Sequence, residues 1–297
     1  MDESVGASDG LRLGIAPHRL WTDVDAELDD VVETARTAEQ LGFDHVIAGS
    51  HVLAGELGVT LDPVVMLSAI AGATSRIGIV TSVLILPLYN PIVLAHQTAT
   101  LDRLSRGRFT LGVGTGWDRN EFEGVGAPFE ARGKRTDEHL EALGTLWWGE
   151  SSDIRIGVAP RTLGGPPVWV GGQSDAALRR AVRFGAAWYG SVSGPAELGR
   201  IRGRLAELLE TSGIEREPLQ TNSVAFVVPP GFTAIGRDLG RLLGGPEASA
   251  GSIVDELGAL REAGLSACSL WLPVPTAAFA DAMAWVAQEV VRQLRGR

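Results

Sequence analysis

The chain has 297 residues, 45% of them hydrophobic, which is enough for a large core. Lys and Arg total 26 against 36 Asp and Glu, and the resulting net charge of −10 argues against nucleic acid as the main partner. The one cysteine, Cys268, excludes a disulfide framework and fits a reducing, cytoplasmic setting.

Residues 1–10, MDESVGASDG, are polar and read as a flexible tail rather than a signal peptide. No apolar run is long enough to span a bilayer. Residues 11–297 read as one domain built of repeated strand–helix units. Residues 11–16 form a first strand, closed by Pro17. Residues 25–41 predict an amphipathic helix, because Leu28, Val31, Val32, Ala35, Ala38 and Leu41 recur at helical spacing before Gly42. A second strand, 44–48, runs into Gly49-Ser50-His51. Asp62-Pro63 and Asn90-Pro91 read as N-caps followed by proline at the first helical position. Between those two helices, 77–86 is an apolar run of the kind that a doubly covered parallel strand needs.

The fourth strand, 109–113, empties into Gly114-Thr115-Gly116-Trp117, an exposed glycine-rich turn, and a loop then continues to about residue 129. A helix is expected over 132–148. Residues 149–165 lack periodicity and read as an insertion. Strands at 168–170, 186–192, 221–228 and 267–272 then alternate with helices at 175–184, 195–211, 252–263 and 276–294. Residues 231–251 are rich in glycine and form a further insertion. This rhythm predicts a closed (β/α)8 TIM barrel with insertions after the fourth and seventh strands and before the fifth. The alternative, two doubly wound domains, would need a break in composition near the middle.

In a barrel, chemistry collects just past the carboxyl ends of the strands. His51 lies there, and His18 has a similar position after the first strand. His45 opens the second strand, where stability is the expected role. His96 lies within a helix, where packing is expected, and His139 sits in a charged run and reads as solvated. No HxxxH and no Cys/His cluster occurs, so no metal site is expected. Cys268 reads as an inert core thiol. Gly171-Gly172-Gln173-Ser174-Asp175 opens a helix and reads equally as an anion site or as an ordinary capped turn. There is no GxGxxG, Walker loop or GxSxG elbow.

The block IGIVTSVLILPLYNPIVLAHQTATLDRLSRGRFTLGVGTGWDRNEFEGVGAPFEARGKRTDEHLEAL, with VWVGGQSDAALRRAVRFGAAW and EAGLSACSLWLP, resembles the bacterial luciferase-like superfamily of flavin- and deazaflavin-dependent oxidoreductases. The tighter likeness is to actinobacterial members that use coenzyme F420. The resemblance implies a (β/α)8 barrel with the cofactor tricycle at the strand ends and a cis peptide between Ser82 and Val83 behind it. It implies His51 as the proton partner, since a histidine titrates near neutrality. Ser50, Ser82, Val83, Thr115, Asn120 and Ser191 are the implied cofactor contacts, and Gly171, Gly172, Gln173 and Ser174 the implied phosphate holders. Two positions depart from the family pattern. Ser50 stands where relatives commonly carry aspartate, and Trp117 where a sugar-phosphate dehydrogenase subgroup carries an acidic glutamate.

Three functions follow as expectations. The first is F420-dependent hydride transfer to or from a small organic substrate. The second is an FMN-dependent monooxygenase that uses oxygen and a reductase partner. The third is a flavin-binding protein without turnover. A homodimer is implied, with no nucleic-acid or membrane partner. Trp21 and Trp117 suggest a partly aromatic pocket.

Overall fold

The computed structural model describes residues 10–18, 30–54, 59–149, 153–236 and 241–296. Short apolar segments that are buried on both faces can pair only in parallel beneath a layer of helices. The strands β1 (Arg12–Ile15), β2 (His45–Ala48), β3 (Gly78–Thr81), β4 (Leu84–Ile85), β5 (Phe109–Gly114), β6 (Val168–Gly171), β7 (Ala187–Gly190), β8 (Gln220–Phe226) and β9 (Leu265–Trp271) do so. All their pairings are parallel, and the ring closes through β1–β9 and β3–β5.

β3 and β4 are two halves of one stave. β3 pairs with the lower part of β5 at Ile79–Phe109, and β4 with its upper part at Leu84–Val113. The uninterrupted strand expected over 77–86 is therefore broken at Ser82–Val83, whose peptide bond is cis as the resemblance implied. Nine segments make the eight staves of a TIM barrel.

Alternation along the staves separates two layers. Ile47, Val80, Trp169, Ala187, Tyr189, Ala267 and Trp271 fill the barrel. Leu13, Ile15, Val46, Ile79, Leu111 and Val113 face outward into the larger core beneath the helices. That outer layer is α1 (Val31–Leu41), α2 (Pro63–Ala73), α3 (Pro91–Leu104), α5 (Arg132–Trp148), α6 (Asp175–Phe184), α7 (Pro195–Ser212), α8 (Ala250–Glu262) and α9 (Thr276–Val286), with the short α4 (Arg119–Gly124) beside the mouth. The expected caps form: Asp62 accepts from the Val64 and Val65 amides, and Asn90 from those of Ile92 and Val93.

Several local expectations are corrected. The helix predicted over 25–41 starts at Val31 in the described residues; 25–29 and Trp21 lie outside them. The loop expected after the fourth strand contains α4. His139 is buried on α5, where its Nδ1 lies 3.3 Å from the Leu86 carbonyl oxygen, and is not solvated. His96 is exposed on α3 rather than packed. The turn Gly114-Thr115-Gly116-Trp117 is not exposed throughout, only Trp117 being fully so. Gly112 and Gly114 are buried, and a Cβ at Gly112 would stand 1.9 Å from the Thr81 carbonyl oxygen.

The insertion before β6 is fastened to α3. The Asp102 carboxylate accepts from the Thr162 amide at 2.7 Å and from its hydroxyl at 2.9 Å, and Arg103 donates to the Ala159 carbonyl at 2.5 Å. Among the described residues no helix is long and apolar enough to cross a membrane.

Candidate active site at the barrel mouth

The carboxyl ends of the staves enclose a cavity of about 480 Å³. Seven residues expected at the site line it: Ser50, His51, Ser82, Val83, Thr115, Gly171 and Gly172. The other walls are mostly apolar and aromatic, including Ile85, Trp117, Val224, Phe226 and Trp271. Among the described residues no Lys or Arg occurs in the lining.

His51 leaves β2 three residues past its end, and Thr60 holds its backbone from both sides. The Thr60 hydroxyl donates to the His51 carbonyl at 2.8 Å and accepts from its amide at 3.3 Å. The imidazole Nδ1 lies 3.2 Å from Glu121 Oε2. Glu121 Oε1 accepts from the Val52 amide at 2.6 Å. A carboxylate only accepts, so an ionised Glu121 places the histidine proton on Nδ1 and leaves Nε2 free to exchange. Trp117 stands edge-on to the same ring, with centroids 5.7 Å apart.

Glu121 comes from α4, which sequence reasoning missed. Asp118 caps that helix by accepting from the Asn120 amide. Glu121 and Phe122 in its first turn are both fully buried. Phe122 meets Phe129 edge-to-face at 5.2 Å, and the guanidinium groups of Arg119 and Arg132 lie over the Phe129 ring. This small packed layer holds the carboxylate beneath His51. The signal that could have found it is Asp118 with Glu121 three residues on, the spacing of an N-cap and its acidic third position.

The remaining expected residues stand outside the lining. Asn120 is exposed on α4. Gln173, Ser174 and Ser191 are exposed on a shelf at the rim, where the Gln173 side chain donates to the Ser191 carbonyl oxygen. Ser174 caps α6 by accepting from the Ala177 amide at 3.2 Å. The Gly172 amide is already spent on the Tyr189 carbonyl oxygen, so the donors left for an anion lie further along the turn. Asp175, in the first turn of α6, is held below the ordinary carboxylate range by its hydrogen bond to Arg204, with Arg179 adding to the effect.

His18 does not reach the lining. It is buried, with its ring edge-on to Trp271 at 5.5 Å. Cys268 is a fully buried thiol, pushed up to about 12 by desolvation, as befits a core residue rather than a nucleophile.

The fold is a TIM barrel with a mostly apolar cavity at its mouth. Residues 13–238 match the luciferase-like monooxygenase family, and the chain belongs to it. An uncharacterised protein of Mycobacterium tuberculosis is 34% identical over 184 residues, which span 59% of this chain and 62% of that one. The FMNH2-dependent dimethylsulfone monooxygenase of Pseudomonas fluorescens is 28% identical over 189 residues, 59% of this chain and 51% of that one. The chain thus matches about half to three fifths of these relatives' length. Among solved structures, an F420-dependent secondary alcohol dehydrogenase in complex with an F420–acetone adduct shares the fold, with TM-score 0.74 at 18% identity. That match covers 95% of this chain and 99% of the dehydrogenase.

Proposed function

We propose that this chain is an oxidoreductase that seats a deazaflavin or flavin ring in the mouth cavity, with coenzyme F420 preferred, and acts on a small, uncharged, largely apolar organic substrate. One observation carries the reading: His51 Nδ1 lies 3.2 Å from the buried Glu121 carboxylate at the edge of a mostly apolar cavity, an arrangement that suits its Nε2 to proton exchange. The cavity suits a flat tricycle. Its walls are aliphatic and aromatic, and beside His51 its polar side chains are mainly hydroxyls, that of the buried Ser50 among them. Gly171 keeps the approach open, since a Cβ there would stand 3.0 Å from the Val113 carbonyl oxygen and 3.3 Å from the Val83 side chain.

When bound, F420 supplies a hydride donor or acceptor. The chain's own residues do the rest. Val83 and Ile85 would back the ring, Ser50, Ser82 and Thr115 would meet its polar edge, and the shelf at 171–174 with Ser191 would hold its phosphate. The Nε2 of His51 passes a proton to or from the substrate oxygen while Glu121 steadies the imidazole. Among the described residues the lining carries no cationic side chain, which supports a neutral substrate, since an anionic one would be buried there without a counter-charge.

The preference for F420 is supported by the sequence likeness to F420-dependent members. A second reading, an FMN-dependent monooxygenase fed by a reductase, is supported by the FMNH2-dependent relative. Exposed Val65 on α2 with Ile92 and Val93 on α3 supports a homodimer, which sedimentation of the purified chain would test.

The deciding experiment is equilibrium titration with F420 and with FMN at one ionic strength, followed by turnover with each. Tighter F420 binding with oxygen-independent turnover is the expected result. Tighter FMN binding with oxygen-dependent turnover would reverse the preference, and binding of neither would overturn the reading.

A further inference from the structure

Beneath the cavity the barrel interior holds polar groups that the chemistry above does not use. His45 opens β2, and its imidazole lies across β1. It can do so because Gly14, its neighbour in register, has no side chain: a Cβ there would stand 2.1 Å from His45 Nε2. On its other side Gly14 is in register with Ser269 of β9. The ring therefore bridges a whole stave and meets the Ser269 hydroxyl at 2.8 Å. Trp169 closes its flank edge-on, with centroids 5.7 Å apart.

Higher in the barrel, the Tyr189 hydroxyl stands 2.8 Å from Ser82 Oγ. The Ser269 hydroxyl also acts on this phenol, favouring its ionised form against the larger opposing effect of burial. Tyr189 and Ser82 both line the cavity, whereas His45 and Ser269 do not. Two 2.8 Å pairs thus lie one above the other, His45 with Ser269 below the cavity and Tyr189 with Ser82 in its lining.

We propose that His45 is a positioning residue: through Ser269 and Tyr189 it anchors one chain of hydrogen bonds ending at Ser82, and so sets whether the cavity floor offers a donor or an acceptor. Each hydroxyl in such a chain donates once and accepts from its neighbour, so the direction at one end fixes the other. With the proton on His45 Nε2, the imidazole donates to Ser269, Ser269 to Tyr189 and Tyr189 to Ser82. The Ser82 O–H is then free to donate into the cavity. With Nε2 bare, every bond reverses and Ser82 presents only lone pairs.

The enclosure keeps the imidazole uncharged, so the direction rests on which ring nitrogen carries its single proton. Burial, with Arg12 of β1 adding to it, holds the imidazole neutral by driving its pKa down to about 3. Gly14 is as much part of the device as His45, because any side chain there would displace the ring.

The consequence for a bound ring rests on the proposed cofactor site; the chain itself does not. The test is nitrogen NMR of the full chain with labelled histidine. It has five histidines, and His45→Gln assigns the relevant signal. Ser269→Ala, Tyr189→Phe and Ser82→Ala should each move the His45 Nε2 resonance, although Ser82 does not touch His45. His45→Gln should also weaken binding of free F420 or FMN about three- to tenfold, the scale of one hydrogen bond. A resonance that responds to Ser269→Ala but not to Tyr189→Phe or Ser82→Ala would overturn the proposal, since the chain then stops at Ser269. If the resonance moves in all three variants while the unmodified protein binds neither cofactor, the chain stands and the cofactor reading falls.

Discussion

β2 begins with His45 and releases His51 just past its other end, and the two imidazoles live in opposite environments. His45 is walled in by Gly14, Trp169 and Ser269, with no carboxylate partner for its ring, so burial keeps it neutral. His51 is partly exposed at the cavity edge and has a buried carboxylate against its Nδ1. Residue type alone therefore says little about role. Position along a parallel stave decides it, because the amino end of the strand leads into a closed interior and the carboxyl end opens on the mouth.

The comparison breaks most visibly if the mouth histidine is not a proton carrier. His51→Asn should lower turnover by about 10²–10⁴, the usual worth of general acid–base help. Cofactor affinity should change by less than about tenfold, or about 1.4 kcal/mol. Loss of cofactor binding without that kinetic effect would make His51 a ring contact instead.

Glu121→Ala removes the partner of both His51 and the Val52 amide. Stability should fall by about 1–3 kcal/mol, the cost of stranding buried polar groups, as read from denaturant midpoints. Turnover should fall with it, and Glu121→Gln should restore more of the stability than of the rate. Equal recovery of both would mean that the carboxylate serves packing alone.

The bottom histidine should show itself in acid rather than in turnover. Its folded pKa of about 3 lies below the unfolded value near 6.5. Below pH 6.5 the unfolded chain therefore binds a proton that the folded chain refuses. Its contribution is complete above that pH and is lost as pH falls towards 3. Between pH 6 and 4.5 the loss is about 2 kcal/mol. His139, also lowered by burial, acts in the same direction. Chemical denaturation across that window should show a decline shallower by about 2 kcal/mol in His45→Gln; an unchanged slope would mean that the ring protonates within the fold. His18→Asn, buried against Trp271 but outside the cavity lining, should change turnover by less than about tenfold.

The barrel was legible because doubly covered parallel strands leave apolar runs between capped helices, and Asp62-Pro63 and Asn90-Pro91 marked two helix starts outright. His51 was legible for the same reason, as a titratable side chain just past a strand. Glu121 was not. A helix of six residues gives too few turns for periodicity to mark it. His139 was misread because its neighbours in TDEHLEAL are charged. The spacing of Thr136, His139, Leu140, Leu143, Leu146 and Trp147 is what puts it on the buried face of α5. The inward turn of Tyr189 depends on barrel closure, and the path of the His45 ring on the missing side chain at Gly14. Both follow from the register between strands far apart in the chain, which no local pattern reveals.

Trp117 is 58% exposed and stands edge-on to His51. Trp147, Trp169, Trp188 and Trp271 are all buried. A protonated imidazole quenches the emission of a neighbouring excited indole far more than a neutral one does. The rim tryptophan is therefore an optical gauge of the histidine beside it. The difference in fluorescence between the unaltered chain and Trp117→Phe, followed across pH, would trace the charge on His51 before any cofactor or substrate is known.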